Sequence, residues 1–474
     1  MSLAHAFKWS YLSELASKAI SPIVFIILAR LLTPEDYGVM SAALMVMAFS
    51  QIFWEAGMGK ALIQRQTDTQ DAANVAFWIN ICLGIVIATL LFVTAGLITR
   101  TFFHDERVTD VIQVMTIQVL LGAISSVHTA LIQKEMGFKK LFWVRLVTLT
   151  LPAMASIPLA LNGMGYWALV AGALVGQTVQ VIFLWYISTW RPQFKFNSAI
   201  GKEMGHFGAW VGTTGFMIWF YTWVDVLIIG MYLGVHELGI FRIGNQFASM
   251  IFGILLGSIT PVLYSHLVRL NQNKNRIKAA TIKIIKTLTF IALPIGIGIY
   301  GLSEPISAAL LGEKWHGAGL VIGIMALVHG FAWVVGMNGE IYRAMNKPHF
   351  ETIMAGSTMF VYIAVYIYAI KFGLEVFLWT RLALSLFGLT IHLFFLRKLL
   401  DIAILPILRY LGIIVSICTL CMYLISRTTI ENINNSLIQT LVGGAASCAT
   451  IAFMLYMLER NGIIKDLMKQ FKSK

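Results

Sequence analysis

Charge is what this chain has least of: Lys, Arg, Asp and Glu together make up 12% of its 474 residues, where a soluble domain carries about 25%. With 58% hydrophobic residues, there is too little polar side chain to cover a water-facing surface of that size. A soluble fold with buried helices is excluded. Cysteine is scarce too. Cys82, Cys418, Cys421 and Cys448 all fall inside apolar stretches and no polar loop holds a pair, which excludes a disulfide framework. Long polar loops are missing. None exceeds about 20 residues, which leaves no room for a separate soluble domain. A membrane glycosyltransferase or polymerase, with catalytic loops on one face, is disfavoured for that reason. There is no P-loop and no metal-ligand cluster. Gly296-Ile-Gly298-Ile-Tyr-Gly301 matches a dinucleotide fingerprint, but it follows Pro294 inside an apolar run with no strand before it. Cys418-Thr-Leu-Cys421 matches a redox motif but lacks the βαβ context. No cofactor and no metal is expected.

What the chain does have is apolar length. About fourteen runs approach the roughly 20 residues of a spanning helix. The first six cover approximately 9–32, 38–62, 74–98, 109–132, 143–161 and 166–188. The next six cover approximately 206–232, 238–265, 284–303, 318–341, 352–371 and 375–396, and two more, 407–426 and 437–458, follow. Lipid cannot satisfy open backbone groups, and the runs lack the alternation of barrel strands. The expected fold is therefore an all-α polytopic membrane protein. The first run is too long and too charged for a cleavable signal peptide and should persist as the first span.

The net charge of +13 could suggest nucleic acid, but its placement does not. With the N-terminus in the cytoplasm, about 26 of the 35 Lys and Arg residues fall in cytoplasmic gaps, the asymmetry of the positive-inside rule. Both termini are expected to be cytoplasmic, and no nucleic-acid partner is implied. The longest gap, around 266–283, is basic and runs into 277–285 at helical spacing. A surface helix against anionic headgroups and a solvated connector are both open readings.

The chain also repeats itself. Leu32-Thr-Pro-Glu-Asp-Tyr-Gly38-Val39 after the first run is echoed by Leu233-Gly-Val-His-Glu-Leu-Gly239-Ile240 after the seventh. Phe102-Phe103-His-Asp-Glu-Arg107 pairs with Leu311-Gly-Glu-Lys-Trp315, and Gln133-Lys-Glu-Met-Gly137 pairs with Tyr342-Arg-Ala-Met-Asn346. Three echoes in one order suggest two six-helix lobes, 1–195 and 196–400, followed by two further helices and a cytoplasmic tail over 401–474. Six spans per repeat is even, so the repeats are parallel, related by an axis along the membrane normal, as in transporters that bind substrate between two halves.

Charges inside the spans are the candidate functional residues, because each costs several kcal/mol unless paired or hydrated. Glu14 and Lys18 stand at i,i+4 on one helix face. Lys18 lies roughly 14 Å into the membrane at 1.5 Å per residue. It reads as a cavity-facing cation for an anionic substrate, against a self-neutralising pair that only fixes helix rotation. Glu55 is flanked by Trp54 and Gly57, and Lys60 can snorkel to the interface. Asp225 is the one acid of the seventh run and could bind a cation or proton. Arg381, near the start of the twelfth run, is a further cavity candidate. His128, His329 and His392 read as satisfied polar groups more than as proton relays.

Ala29-Arg30-Leu-Leu-Thr-Pro-Glu-Asp-Tyr-Gly38, Ala61-Leu-Ile-Gln64-Arg65, Gln133-Lys-Glu-Met-Gly-Phe138, Phe207-Gly-Ala-Trp210 and Leu311-Gly-Glu-Lys-Trp315 carry a resemblance. Over essentially its whole length the chain resembles the Wzx-like oligosaccharide flippases of the polysaccharide-transporter branch, within the multidrug/oligosaccharidyl-lipid/polysaccharide exporter superfamily. The colanic-acid-exporter subgroup is the most similar. The resemblance implies a two-lobed helical bundle in a bacterial inner membrane. Its implied work is moving an undecaprenyl-pyrophosphate-linked oligosaccharide to the periplasmic leaflet by alternating access. For such a substrate, Lys18 and Arg381 are expected to contact the pyrophosphate and Asp225 to couple Na⁺ or a proton, and a polysaccharide polymerase and chain-length regulator are expected partners. A multidrug cation antiporter of the same superfamily, favoured by Glu14, Glu55 and Asp225, and a lipid II flippase are the alternatives.

Overall fold

Helix follows helix along the chain, as expected of a bundle that must satisfy its backbone in lipid. The computed structural model describes residues 3–55, 57–256, 273–347, 349–427 and 435–460, with positions 263, 267, 270 and 433. Its helices are α1 (Leu3–Leu31), α2 (Pro34–Glu55), α3 (Met58–Gln64), α4 (Thr69–Phe102), α5 (Glu106–Lys134), α6 (Phe138–Leu161), α7 (Tyr166–Ile187) and α8 (Ser198–Leu256). There follow α9 (Lys274–Gly301), α10 (Ser303–Ile306), α11 (Ala318–Val334), α12 (Asn338–Ala344), α13 (His349–Ala369), α14 (Leu374–Leu400), α15 (Ile404–Ile425) and α16 (Ser436–Arg460). The expected tail over 461–474 and most of 266–272 lie outside the described residues.

Among the described residues, 11 helices are long and apolar enough to cross a membrane. The chain is a multi-pass membrane protein. The 59-residue α8 is interrupted at Gly234, whose φ of 83° breaks the helix. Trp223 and Arg242, which a straight helix would hold about 28 Å apart, come within 4.8 Å as a cation–π pair. The chain therefore reverses at Gly234, and α8 carries the run expected over 206–232 and, as far as Leu256, the one expected over 238–265. The first and last expected runs lie on α1 and α16.

Two compact units divide the chain, Met1–Arg242 and Ile243–Lys474. In the first, α4 packs on α5, α6 on α7, α1 on α6 and α2 on α5. In the second, α9 packs on α11 and α15, and α11 on α14. By compactness the boundary falls within α8, beyond position 195, because the first half of α8 is fastened to α2. Trp219 Nε1 donates to the Met45 carbonyl at 3.1 Å, and its ring lies 4.8 Å from Phe49. The described part of the basic gap around 266–283 runs into α9, where Ile277, Ile284 and Ile285 are buried.

The repeat motif is a helix start in both its chemistry and its geometry. Pro34 at the first helical position gives up no bond. Thr33 Oγ1 accepts from the Asp36 N–H (3.3 Å) while the Asp36 carboxylate accepts from the Thr33 N–H (2.9 Å), a reciprocal capping box. The other Asp36 oxygen accepts from the Tyr166 N–H at 2.8 Å, so one buried carboxylate starts α2 and pins the start of α7.

The two copies of this motif meet. A Cβ on Gly38 would strike the Val235 carbonyl, and a Cβ on Gly239 would strike the Pro34 carbonyl. The repeat offset of 201 residues converts the first contact into the second with partners exchanged, and it maps Glu35 onto His236, which meet at 2.6 Å. Exchange of partners is the signature of a two-fold, isologous contact. The third echo is equally concrete: Met136 and Asn346 both adopt φ 57°. Gly137 N–H reaches the Ile132 carbonyl and Lys347 N–H the Tyr342 carbonyl, each at 2.8 Å, the six-to-one bond of a Schellman cap.

In the second echo, Asp105 caps α5 by accepting the Arg107 N–H at 3.0 Å, and it pairs with the Arg107 side chain at 2.7 Å. Those bonds hold the carboxyl below its ordinary 3.8. Replacing Asp105 by Ala should cost about 1 kcal/mol at neutral pH. A depressed pKa contributes stability above the unfolded value and loses it as pH falls through the folded one. The melting difference between wild type and variant should therefore shrink below about pH 4. A constant difference from pH 7 to pH 3 in detergent melts would contradict the assignment.

Candidate functional site

Polar residues recur on α5 at helical steps: Gln118, Ser125, Thr129 and Gln133, with Gly122 between them. Steps of three and four put them on one face. On α7, Gln177 and Gln180 stand at i,i+3, and on α2, Gln51 and Glu55 at i,i+4. These faces converge within the first unit on a cavity of about 530 Å³. A second cavity of about 280 Å³ shares Gln51, Glu55, Lys60 and Trp223 with it and extends along the first half of α8 past Gly212, Gly215 and Thr222. Both lie at the scale of small-molecule sites, roughly 300–1,000 Å³.

The cavity is polar but balanced in charge. Among the described residues, Glu55 and Lys60 are its only charged lining residues. Gln51 Nε2 donates to Glu55 Oε2 at 3.1 Å, which holds the carboxylate on the wall. Gln118 Oε1 is buried with no hydrogen-bond partner among the described residues, at a cost of about 1–3 kcal/mol. Trp54 is buried against Gly122, where a Cβ would lie 2.8 Å from the indole. The Arg242 guanidinium lies over the Trp223 ring, 4.8 Å from its centre.

Of the residues singled out by charge, Glu55 lines both cavities. Glu14 and Lys18 form the expected pair at 3.0 Å on α1, and neither lines these cavities. Asp225 is 4% exposed on α8 and lies within electrostatic reach of Arg242. Arg381 belongs to the second unit, on α14, with its guanidinium 6.0 Å from the Tyr366 ring centre. His329 Nε2 meets Asn245 Oδ1 at 3.2 Å and His392 Nδ1 meets the Tyr342 hydroxyl at 3.3 Å. His128 departs from expectation: both its ring nitrogens are buried without a hydrogen-bond partner among the described residues, between Trp185 and Trp190. Intramembrane charge does not point to these glutamines, which carry none. Amides at three- and four-residue spacing inside apolar runs were the available signal.

The family model described as a polysaccharide biosynthesis protein matches residues 27–320. The chain is 27% identical over 324 residues to the succinoglycan biosynthesis transport protein ExoT of Rhizobium meliloti (strain 1021), covering 68% of this chain and 65% of that one. It thus spans just under two thirds of that relative. It is 23% identical over 343 residues to the teichuronic acid biosynthesis protein TuaB of Bacillus subtilis (strain 168), covering 72% and 71% of the two chains. To the lipopolysaccharide biosynthesis protein WzxC of Escherichia coli (strain K12) it is 21% identical over 327 residues, covering 68% and 65%. Among solved structures, an inward closed lipid II flippase MurJ superimposes with a TM-score of 0.75 at 14% identity, covering 96% of this chain and 99% of that one. An inward-facing multidrug resistance MATE family transporter gives 0.61 at 13% identity, covering 81% and 95%. These structures share the fold.

Proposed function

The chain belongs to the polysaccharide biosynthesis protein family, and from that premise we propose that it is a flippase for a lipid-linked oligosaccharide. Its substrate is an undecaprenyl-pyrophosphate-linked oligosaccharide, carried from the cytoplasmic to the periplasmic leaflet of a bacterial inner membrane by alternating access, for surface polysaccharide biosynthesis. Both termini are assigned to the cytoplasm from the distribution of Lys and Arg. The repeat halves are assigned to 1–195 and 196–400. The observation that carries the reading is the amide-lined cavity inside a multi-pass helical protein. A pyrophosphate–sugar head cannot cross about 30 Å of hydrocarbon unaided. A polar cavity gives that head partners to replace water while the polyprenyl tail stays in lipid.

The acids support this over a multidrug cation antiporter. Glu14 is met by Lys18 at 3.0 Å, and Asp225 faces Arg242. Compensated carboxylates attract organic cations weakly. Lys18 in the first unit and Arg381 in the second are the cations assigned to pyrophosphate chemistry. Asp225 is the assigned coupling residue for Na⁺ or a proton, and any such coupling is a competition with Arg242.

Leaflet-specific detection of the lipid-linked oligosaccharide in a deletion strain tests the reading. Without the protein, the intermediate should accumulate on the cytoplasmic side. Accumulation on the periplasmic side would overturn it.

A further inference from the structure

We propose that the first-unit cavity is a glycan subsite, taking the uncharged sugar portion of the substrate head and not its pyrophosphate. The inference rests on the flippase reading and assigns the site within it.

The first argument is the donor and acceptor inventory. Each glutamine amide offers two donors and a two-lone-pair acceptor, and sugar hydroxyls likewise donate and accept. Three helices bring such amides to one space: Gln51 from α2, Gln118 and Gln133 from α5, Gln177 and Gln180 from α7. The second argument is charge. Recognition of phosphate uses an excess of cations, whereas here Lys60 is matched by Glu55. A pyrophosphate would enter a space with no net positive charge and with a carboxylate on its wall.

The indoles of Trp54 and Trp223 add apolar faces beside the amides, which suits the C–H face of a pyranose ring. The adjoining cavity of about 280 Å³ continues the space for a short oligosaccharide.

Calorimetry on the purified full-length protein tests the proposal with two probes. One is the oligosaccharide released from the host's lipid-linked pool by mild acid and phosphatase; the other is inorganic pyrophosphate. The oligosaccharide should bind saturably and should not be displaced by pyrophosphate. Gln118→Leu combined with Gln180→Leu should weaken it at least tenfold. Gln180→Glu, which keeps side-chain size and removes the amide donors, should weaken it comparably and guards against misfolding of the double variant. Displacement by pyrophosphate, absence of oligosaccharide binding, or unchanged affinity in these variants would overturn the subsite. The two readings fail separately. If deletion leaves the leaflet distribution unchanged while the variants lose oligosaccharide affinity, the flippase reading falls and the subsite stands. If deletion shifts that distribution while the variants bind as wild type, the subsite falls alone.

Discussion

Valine in place of Gly239 should abolish polysaccharide export and lower the melting temperature of the purified protein by roughly 5 °C or more. The Cβ it adds would meet the Pro34 carbonyl and the Gly38 backbone nitrogen. Both obstacles are main chain, which cannot step aside by changing rotamer, so the cost should reach about 3 kcal/mol, the upper part of the range for overpacking. Because the repeat exchanges the partners of this contact, Gly38→Val should fail to the same degree, against the Val235 carbonyl. Gly96→Ala is the matched control. Nothing lies within 4 Å of the added carbon there, and alanine in a helix interior is favoured over glycine by about 1 kcal/mol. Detergent melts and complementation of a deletion strain read all three. A Gly239→Val protein that melts like wild type would mean that the two motif copies do not pack as described.

That contact also shows what a sequence can disclose. The echo between Thr33-Pro34-Glu35-Asp36 and the segment around His236 was legible because a capping box and a glycine close approach both demand particular residues. Apolar length was legible for the same kind of reason: hydrocarbon thickness sets how many residues a span needs. The reversal within α8 was legible too, since Leu233-Gly234 divides the runs over 206–232 and 238–265, and the break at Gly234 and the approach of Trp223 to Arg242 show it. The cavity was less legible. Glu55 was found because a charge in a span is costly, but it is one wall among many. Glutamine carries no charge and interrupts an apolar run only mildly, so Gln118, Gln177 and Gln180 drew no attention until three helices set them around one space. Asp225 shows the converse: Arg242 lies within its electrostatic reach, a neighbour that no spacing rule supplies, whereas the i,i+4 spacing already marks Glu14 as the partner of Lys18.

The second large effect concerns Gly122, the one position on the polar face of α5 where a side chain must be missing. A Cβ there would sit 2.8 Å from two atoms of the Trp54 ring. The indole is 7% exposed and rigid, so Gly122→Val must drive it off its seat, and both residues border the cavity. Export should fall at least tenfold while the protein still reaches the membrane, with a stability loss of about 1–3 kcal/mol. The diagnostic step is the second substitution. Trp54→Phe removes the ring atoms that the valine would strike while keeping an aromatic wall. Residues in direct contact couple by about 0.5–3 kcal/mol, so Gly122→Val with Trp54→Phe should export and melt better than Gly122→Val alone. Strictly additive losses would show that the valine acts somewhere other than on Trp54. Rescue would establish that the space between α2 and α5 is what the substrate requires, since the double variant restores that space without restoring either native side chain.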